Sequence, residues 1–189
     1  DLQYANNFDE KELKEAVRYC HIRDVKVFVT VNTLLSNHEM KKLSPYISFL
    51  YNIGVDAVIV QDIGAAKMIR KFFPDLPIHA STQMTVHNLE GAKFLEEMGI
   101  QRVVLAREME KEEILSISKN TDIDIEVFIH GALCVSYSGQ CMMSSMIGGR
   151  SGNRGRCAQP CRMPYDLVEF ESKKEIKHSF GKYLLSPRD

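Results

Sequence analysis

The sequence has no long apolar runs and no excess of one charge. No stretch approaches the roughly 18 consecutive apolar residues that a membrane-spanning helix needs, and no charged and then apolar leader is present. The 24 Lys and Arg residues nearly balance the 25 Asp and Glu residues, for a net charge of −1. This balance argues against a generally basic nucleic-acid coat but permits a local basic patch. We therefore expect a cytoplasmic protein without a membrane span.

Several catalytic signatures are also missing. The chain contains no H-E-x-x-H zinc motif and no G-x-S-x-G nucleophile turn. No Gly-rich dinucleotide fingerprint follows any predicted strand. The usual signals of a metallopeptidase, a serine hydrolase or a Rossmann-type dehydrogenase are therefore absent.

What is present is a repeated switch between two hydrophobic periods. Strand-like runs are predicted at 25–31, 56–60, 77–80, 102–106 and 124–129, and helical spacing at 9–23, 36–53, 62–73, 86–98 and 110–119. Strands that alternate with helices pair in parallel, with the helices covering the sheet. We predict an α/β fold, an incomplete (β/α)8 barrel of the TIM type, with an open doubly wound sheet as the alternative.

The 189 residues are predicted to form a single domain. We divide it into a partial barrel at about 1–130, a Cys-rich site segment at 130–164 and a C-terminal segment at 165–189. The segment 130–164 is rich in Gly, Cys and Arg and has neither helical nor strand periodicity, which indicates a functional loop after the fifth visible strand. Because the chain starts at Asp1 and stops in a Ser-Pro-Arg-Asp run, we expect a fragment of a longer chain.

Polar residues follow each predicted strand. Ligands of parallel α/β folds bind beyond the carboxyl ends of the strands, so these residues are candidates for one pocket. We predict substrate-binding roles for Asn32, Gln61, Ser81 and Gln83, and catalytic roles for Arg107, Glu108 and His130. The alternative is structural, since helix caps and turns use the same residue types, and Arg107 and Glu108 could form an ion pair at the rim.

Four of the five cysteines are clustered. Cys134, Cys141, Cys157 and Cys161 are separated by six, fifteen and three residues. Four thiolates at loop spacing suit a tetrahedral zinc ion or an iron-sulfur cluster, and the spacing does not choose between them. Two disulfides or four unligated thiols are the alternative, although a reducing compartment disfavours bridges. Cys20 lies on the apolar face of the first predicted helix and is expected to be a core residue.

A short arginine-rich run lies beside the cysteines. The segment GGRSGNRGR contains Arg150, Arg154 and Arg156. Guanidinium groups at this density suit bidentate binding of phosphate or carboxylate, and we predict that these three bind substrate. The alternative is a flexible basic surface loop.

Several segments resemble peptidase family U32, the collagenase-like peptidases. The stretch EVFIHGALCVSYSGQCMMS at 126–144 is similar to the signature segment of that family. Further similar segments are ASTQ at 80–83, LARE at 105–108, NRGRCAQPCR at 153–162 and LLSPRD at 184–189. The resemblance therefore extends over nearly the whole chain.

The resemblance implies a (β/α) barrel with its site at the carboxyl face of the strands, from which the family's opening strand is missing before Asp1. Members are described as proteases, some of them collagenase-like. Other members resemble oxygen-independent hydroxylases of transfer RNA, ribosomal RNA or the ubiquinone ring that use a cysteine-bound 4Fe-4S cluster. By resemblance, Cys134, Cys141 and Cys157 hold the cluster, and the fourth ligand is Cys161 or a cysteine beyond Asp189.

Three functions are weighed. The first is iron-sulfur-dependent hydroxylation of RNA or a small quinone precursor, in which the cluster carries the electron chemistry and the arginines hold phosphates or an acidic co-substrate. The second is a peptidase that acts on peptides with a Cys nucleophile and His130 as base. The third is an RNA-binding module in which the cysteines hold structural zinc.

Overall fold

The computed structural model of this chain describes residues 7–131, 134–177 and 181–186. Residues 132–133 of the signature segment and residues 187–189 of the LLSPRD segment lie outside the described residues. In the described part of the chain, no helix has the length and apolar character needed to cross a bilayer.

Strands and helices alternate along most of the chain. The strands are β1 (Phe28–Val31), β2 (Ala57–Val60), β3 (Ile78–Ala80), β4 (Arg102–Val104) and β5 (Asp124–Glu126). The helices are α1 (Glu10–His21), α2 (Asn37–Ile53), α3 (Ile63–Phe72), α4 (Leu89–Glu97), α5 (Lys111–Asn120) and α6 (Met143–Gly148). Short 3-10 turns occupy Thr82–Met84, Gly152–Arg154 and Pro160–Arg162.

The five strands form one parallel sheet in the order β1-β2-β3-β4-β5. The predicted α/β fold with parallel strands is thus confirmed. Each strand pairs with the next one along the chain, as in a (β/α) barrel, whereas a doubly wound sheet reverses its strand order at a switch point. Right-handed crossovers in one direction place the connecting helices on the same face of the sheet. The topology is that of a TIM-type barrel fragment.

The two faces of the sheet differ in chemistry. Residues that pair in register share a face, and one face carries Val29, Val31, Val58, Val60, Ile78, Ala80, Val103 and Ile125. These residues pack into the hydrophobic core under the helices. The opposite face carries His79, which is buried, and Arg102, which contacts Asp124 at 3.2 Å and Glu126 at 3.6 Å. In a closed barrel this second face lines the interior.

Local capping explains where the helices begin. Asp9 and Ser36 form capping boxes with Glu12 and Glu39, so α1 and α2 start where their first N–H groups find acceptors. Asp62 caps α3 by accepting from the Ala65 N–H at 2.9 Å. The caps at Ser36 and Asp62 start α2 and α3 a few residues after the carboxyl ends of β1 and β2.

The segment 130–164 differs from the expectation that it lacks periodic structure, because α6 and two 3-10 turns lie within it. Helix α6 has six residues and ends at Gly149, which has a φ of 65°. Six residues make less than two turns, too few to display a 3.6-residue hydrophobic period. The predicted strands are also longer than those observed, since pairing of β5 stops at Glu126.

Candidate active site at the carboxyl ends of the strands

One cavity of about 550 Å³ lies beyond the carboxyl ends of β3, β4 and β5. Its lining includes all four clustered cysteines: Cys134, Cys141, Cys157 and Cys161. The predicted site residues Gln83, Arg107 and His130 line it as well. Residues distant in sequence therefore converge on a cavity of the size that ligand pockets usually have.

The cavity cysteines are free thiols in this structure. Burial raises the pKa of the Cys161 thiol, and the thiols of Cys134, Cys157 and Cys141 raise it further, whereas Arg162 lowers it. The sulfur of Cys157 accepts a hydrogen bond from the Gln159 N–H at 3.3 Å. Backbone N–H donors to cysteine sulfur are one way in which proteins tune iron-sulfur centres.

The donor set fits a thiolate-bound metal centre in its chemistry. Four unbridged thiols open on one cavity, as a zinc ion or a 4Fe-4S cluster requires. Over residues 7–131, 134–177 and 181–186, no three His, Cys, Asp or Glu side chains are yet close enough to share a metal ion. A single bound ion would therefore require the cysteine side chains to move closer together.

The loop between Cys134 and Cys141 is fastened to the sheet through Ser138, which is fully buried. Its N–H and hydroxyl both donate to Glu108 Oε1, at 2.7 and 3.0 Å. The same hydroxyl oxygen accepts from the backbone N–H and the Nε of Arg107, each at 3.3 Å. The Thr85 hydroxyl donates to the Ser138 carbonyl at 2.7 Å. Glu108 and Arg107, both predicted as catalytic, thus hold the cysteine loop in place.

Gly139 brings this loop into direct contact with the 3-10 turn Thr82–Met84 that follows β3. Its φ is +73°, and a Cβ at this position would clash with the Gln83 carbonyl oxygen. Gln140 adds a hydrogen bond from its Nε2 to the Thr85 hydroxyl at 2.7 Å. Only glycine allows both the positive φ and the close approach, so the register of the loop depends on it.

A second attachment joins the arginine-rich segment to α2. Arg154 donates to both carboxylate oxygens of Glu39, at 2.6 and 3.0 Å, and to the Leu34 carbonyl at 3.3 Å. The hydrogen bond from Arg154 holds the pKa of Glu39 well below its ordinary value, and the Ser36 N–H contributes in the same direction. In this structure the Arg154 guanidinium, predicted to bind substrate, is committed to a bidentate ion pair within the chain.

The other predicted substrate-binding residues lie at different distances from the cysteine cavity. Gln61 and Ser81 are buried at the ends of β2 and β3, and the Ser81 hydroxyl accepts from the Gln83 N–H at 3.2 Å. Arg150 is exposed and donates through Nε to the Arg156 carbonyl at 3.0 Å. Asn32 is half-buried after β1 and does not line the cysteine cavity.

Sequence reasoning missed Ser138 and Glu39 as residues that organise the site. Ser138 lies within the signature segment, and that position is the signal that could have drawn attention to it. Glu39 is visible as the third residue of a capping box, but its pairing with Arg154 spans 115 residues and leaves no local trace. Both residues act by positioning the cysteine-bearing segments.

The sequence model of peptidase family U32 matches residues 3–189. The chain belongs to peptidase family U32. The predicted membership is thus confirmed, and the stretch 126–144, which resembles the family's signature segment, carries Cys134 and Cys141 into the cavity.

Relatives of the U32 chain include proteins named for RNA hydroxylation. It is 45% identical over 179 residues to the 23S rRNA 5-hydroxycytidine C2501 synthase of Escherichia coli, which covers 95% of this chain and 26% of the relative. It is 36% identical over 188 residues to tRNA hydroxylation protein P1 of Bacillus subtilis, covering 98% of this chain and 44% of the relative. A protein named collagenase from Porphyromonas gingivalis is 31% identical over 196 residues, covering 98% and 46%. The chain therefore spans less than half the length of these relatives.

A solved structure of a U32 peptidase has the same fold. It superposes with a TM-score of 0.57 at 17% identity and covers 66% of this chain and 53% of that chain. The similarity supports the barrel-type arrangement of the U32 strands. The cysteine cavity itself lies beyond the carboxyl ends of β3, β4 and β5, the face where parallel barrels carry their sites.

Proposed function

We propose that this U32 protein is part of an RNA-hydroxylating enzyme, with transfer or ribosomal RNA as substrate and a 4Fe-4S cluster held by its cysteines. The observation that carries the proposal is the convergence of Cys134, Cys141, Cys157 and Cys161 on one cavity with Arg107 and His130. The names of two relatives, an rRNA hydroxycytidine synthase and a tRNA hydroxylation protein, support the substrate class.

The four cysteines would hold the cluster, with Cys161 or a cysteine outside this chain as the fourth ligand. When bound, such a cluster supplies one-electron transfer. Ser138 and Glu108 hold the loop that bears two of the thiols, and the Arg154–Glu39 pair holds the segment that bears Cys157. The protein's own residues would thus place the cysteine thiolates on the wall of the cavity and orient an RNA base between these thiolates and the strand ends.

Arg107 and His130 are the proposed polar groups nearest the reacting base. Both line the cysteine cavity, and Arg107 remains fixed through its contact with the Ser138 hydroxyl at 3.3 Å. A fixed guanidinium suits a phosphate or a base carbonyl. His130 is a candidate to donate or accept a proton, since a neutral imidazole ring has one nitrogen that donates and one that accepts.

The thiol peptidase and the zinc module make different demands on the same cavity. A cysteine peptidase needs a base hydrogen-bonded to the nucleophile, and among the described residues no hydrogen bond joins His130 to a cysteine sulfur. A single nucleophile also leaves three cavity cysteines without a task. A zinc site would use the four thiols but predicts no redox-active centre.

The experiment is an iron and sulfide measurement on the full-length protein purified without oxygen, with its visible spectrum. We expect about four irons per chain, lost when Cys134 and Cys141 are changed to Ala. Cys20→Ala is the matched control, because Cys20 is a half-buried free cysteine of α1 that does not line the cavity. Mass spectrometry of RNA nucleosides from cells without the gene should show one hydroxylated pyrimidine missing.

The possible outcomes distinguish the RNA hydroxylase, the zinc module and the thiol peptidase. Iron that the control variant retains and the double variant loses, together with a missing hydroxylated nucleoside, supports the proposal. Bound zinc without iron overturns it in favour of the structural module. No metal, with cleavage of a peptide substrate that Cys134→Ala abolishes, overturns it in favour of a thiol peptidase.

A further inference from the structure

A second cavity of about 680 Å³ lies beside the cysteine cavity, at the ends of β2 and β3 and the start of α4. The two cavities share Gln83, Gly139 and Asn153, so one thin wall separates them. None of the residues predicted to be catalytic lines the second cavity. It is therefore a neighbouring space with a chemistry of its own.

The lining of the second cavity is neutral and rich in amides. Its carboxamide and imidazole side chains are Gln61, Gln83, His87, Asn88, Gln140 and Asn153. Among its lining residues Asp62 alone has a carboxyl group, and both Asp62 oxygens already accept backbone N–H groups, at 2.9 and 3.1 Å. No Lys or Arg lines the cavity, so a phosphate or carboxylate finds no counter-charge there.

Gln61 carries an acceptor that nothing in the described structure satisfies. Its side chain is buried, and its Nε2 donates to the Gln83 carbonyl at 3.4 Å, which assigns the remaining atom as oxygen. Gln61 Oε1 and Gln83 Oε1 are both buried without a hydrogen-bond partner. An acceptor left unsatisfied costs about 1–3 kcal/mol. The bond that holds the Gln61 amide is long and weak, so turning the amide toward a donor in the cavity costs little.

Apolar and aromatic groups complete the cavity. Phe94, which is 50% exposed, and Met84 line it together with His87, whose ring is exposed. Planar bases stack on aromatic and imidazole rings, and Gln and Asn amides read the mixed donor and acceptor edges of bases. Neutral amides beside a ring match a nucleobase better than a charged metabolite.

We propose that the second cavity binds a nucleobase through an N–H donor that reaches Gln61 Oε1. The inference rests on the proposed function, because such a base would belong to the RNA substrate and lie next to the reacting base in the cysteine cavity. Two adjacent base pockets separated by Gly139 and Gln83 would make the enzyme select a two-nucleotide context.

The test is nucleoside binding to the full-length protein, measured by ligand-observed NMR titration. Cytidine is compared with N4,N4-dimethylcytidine, which lacks the amine N–H donors, and with 5-methylcytidine, which adds a methyl group and keeps them. Adenosine and N6,N6-dimethyladenosine form a second pair. In the wild type, at least one amino nucleoside should bind about tenfold or more tightly than its dimethylated analogue, since a site built for a donor rejects a ligand without it.

Gln61→Met keeps the side-chain length and removes the acceptor, so this tenfold preference should fall to near one. The comparison within the wild type needs no variant and decides the question even if Gln61→Met does not fold. Equal binding of the amino and dimethylated nucleosides by the wild type overturns the proposal, as does the absence of nucleoside binding. A preference that Gln61→Met leaves intact overturns it too.

Photo-crosslinking with 5-iodocytidine determines which of the two cavities holds the bound base. Adducts at His87 or Phe94 support the second cavity, whereas adducts confined to Tyr137 or His130 place the base in the cysteine cavity alone and overturn the proposal. The measurement does not require iron. If the protein holds iron and hydroxylates RNA but binds amino and dimethylated nucleosides equally, the nucleobase pocket is rejected and the proposed function stands. If it distinguishes these nucleosides but holds no iron, the pocket stands and the proposed function is rejected.

Discussion

At the scale of single residues, the cysteine loop depends on a glycine that contacts the turn after β3. Gly139 has a φ of +73° and lies so close to the turn after β3 that a Cβ would clash with the Gln83 carbonyl oxygen. Gly149 has a similar φ of +65° but has open space around its Cβ position. Comparing an alanine substitution at each glycine therefore separates the energetic cost of the positive φ from the cost of the contact with Gln83.

We predict that Gly139→Ala destabilises the protein by about 1–3 kcal/mol more than Gly149→Ala, because both pay for a positive φ and only the first forces a clash. Chemical unfolding of the anaerobic full-length protein measures the difference, and iron content should fall only in Gly139→Ala. Equal effects of the two substitutions would show that the contact between the loop and β3 does not constrain the loop.

A second residue-scale prediction separates positioning from catalysis at Glu108. Its Oε1 accepts from the N–H and hydroxyl of Ser138, and a glutamine oxygen could accept both. Glu108→Gln should therefore stay close to wild type in stability and activity, whereas Glu108→Ala should cost about 1–3 kcal/mol by leaving buried donors unsatisfied. The measurements are thermal unfolding and the rate at which iodoacetamide alkylates Cys134 and Cys141 in the metal-free protein.

The outcome decides the predicted catalytic role. If Glu108→Gln abolishes RNA hydroxylation while alkylation rates and stability remain at wild-type values, Glu108 acts as an acid or base rather than as a positioning residue. If stability, alkylation rate and RNA hydroxylation change in Glu108→Ala but not in Glu108→Gln, the carboxylate serves to hold the loop.

At the scale of elements, the Arg154–Glu39 pair joins the 3-10 turn Gly152–Arg154 to α2. The pKa of Glu39 is depressed in the folded state, so the unfolded state binds more protons between the two pKa values. The contribution of the pair to stability is therefore fully present above the ordinary pKa of 4.5 and is lost as pH falls below it.

We predict a favourable coupling between Glu39→Gln and Arg154→Gln in a double-mutant cycle at pH 7, which shrinks as pH falls below 4.5. Thermal unfolding across this pH range measures it. The control is the exposed Lys93–Glu90 pair at 3.6 Å, which should show almost no coupling because solvent screens it. A coupling at pH 7 no larger than that of the control would mean that the pair does not fasten the segment.

At the scale of the whole molecule, the sheet and the cysteine segment are two layers built by different means. The sheet is held by a continuous apolar core in which Val58, Val60 and Ile69 are fully buried. The cysteine segment has short helices and is attached to the sheet mainly through polar contacts such as those of Ser138 and Arg154. The cysteines that are proposed to hold a cluster thus lie on the layer with few apolar contacts, and the packed sheet beneath keeps that layer aligned.

Local pattern was sufficient to predict much of this molecule. All five strands and the five helices up to Asn120 lie where the hydrophobic periods place them, with ends shifted by up to three residues. The four clustered cysteines line one cavity, at the edge where parallel strands present their carboxyl ends. Helix α6 escaped prediction because six residues cannot display a period.

Chain order alone shows periodicity, caps, motif spacing and family, because each of these depends on residues that are near neighbours or on a pattern read in one segment. It does not show that Arg154 pairs with Glu39, that Glu108 binds the loop serine, or that an amide-lined cavity adjoins the cysteines. Those contacts join residues 22 to 115 positions apart, and their partners are chosen by how packed elements bring side chains together. Long-range pairing is a property of the folded packing, which no local window contains.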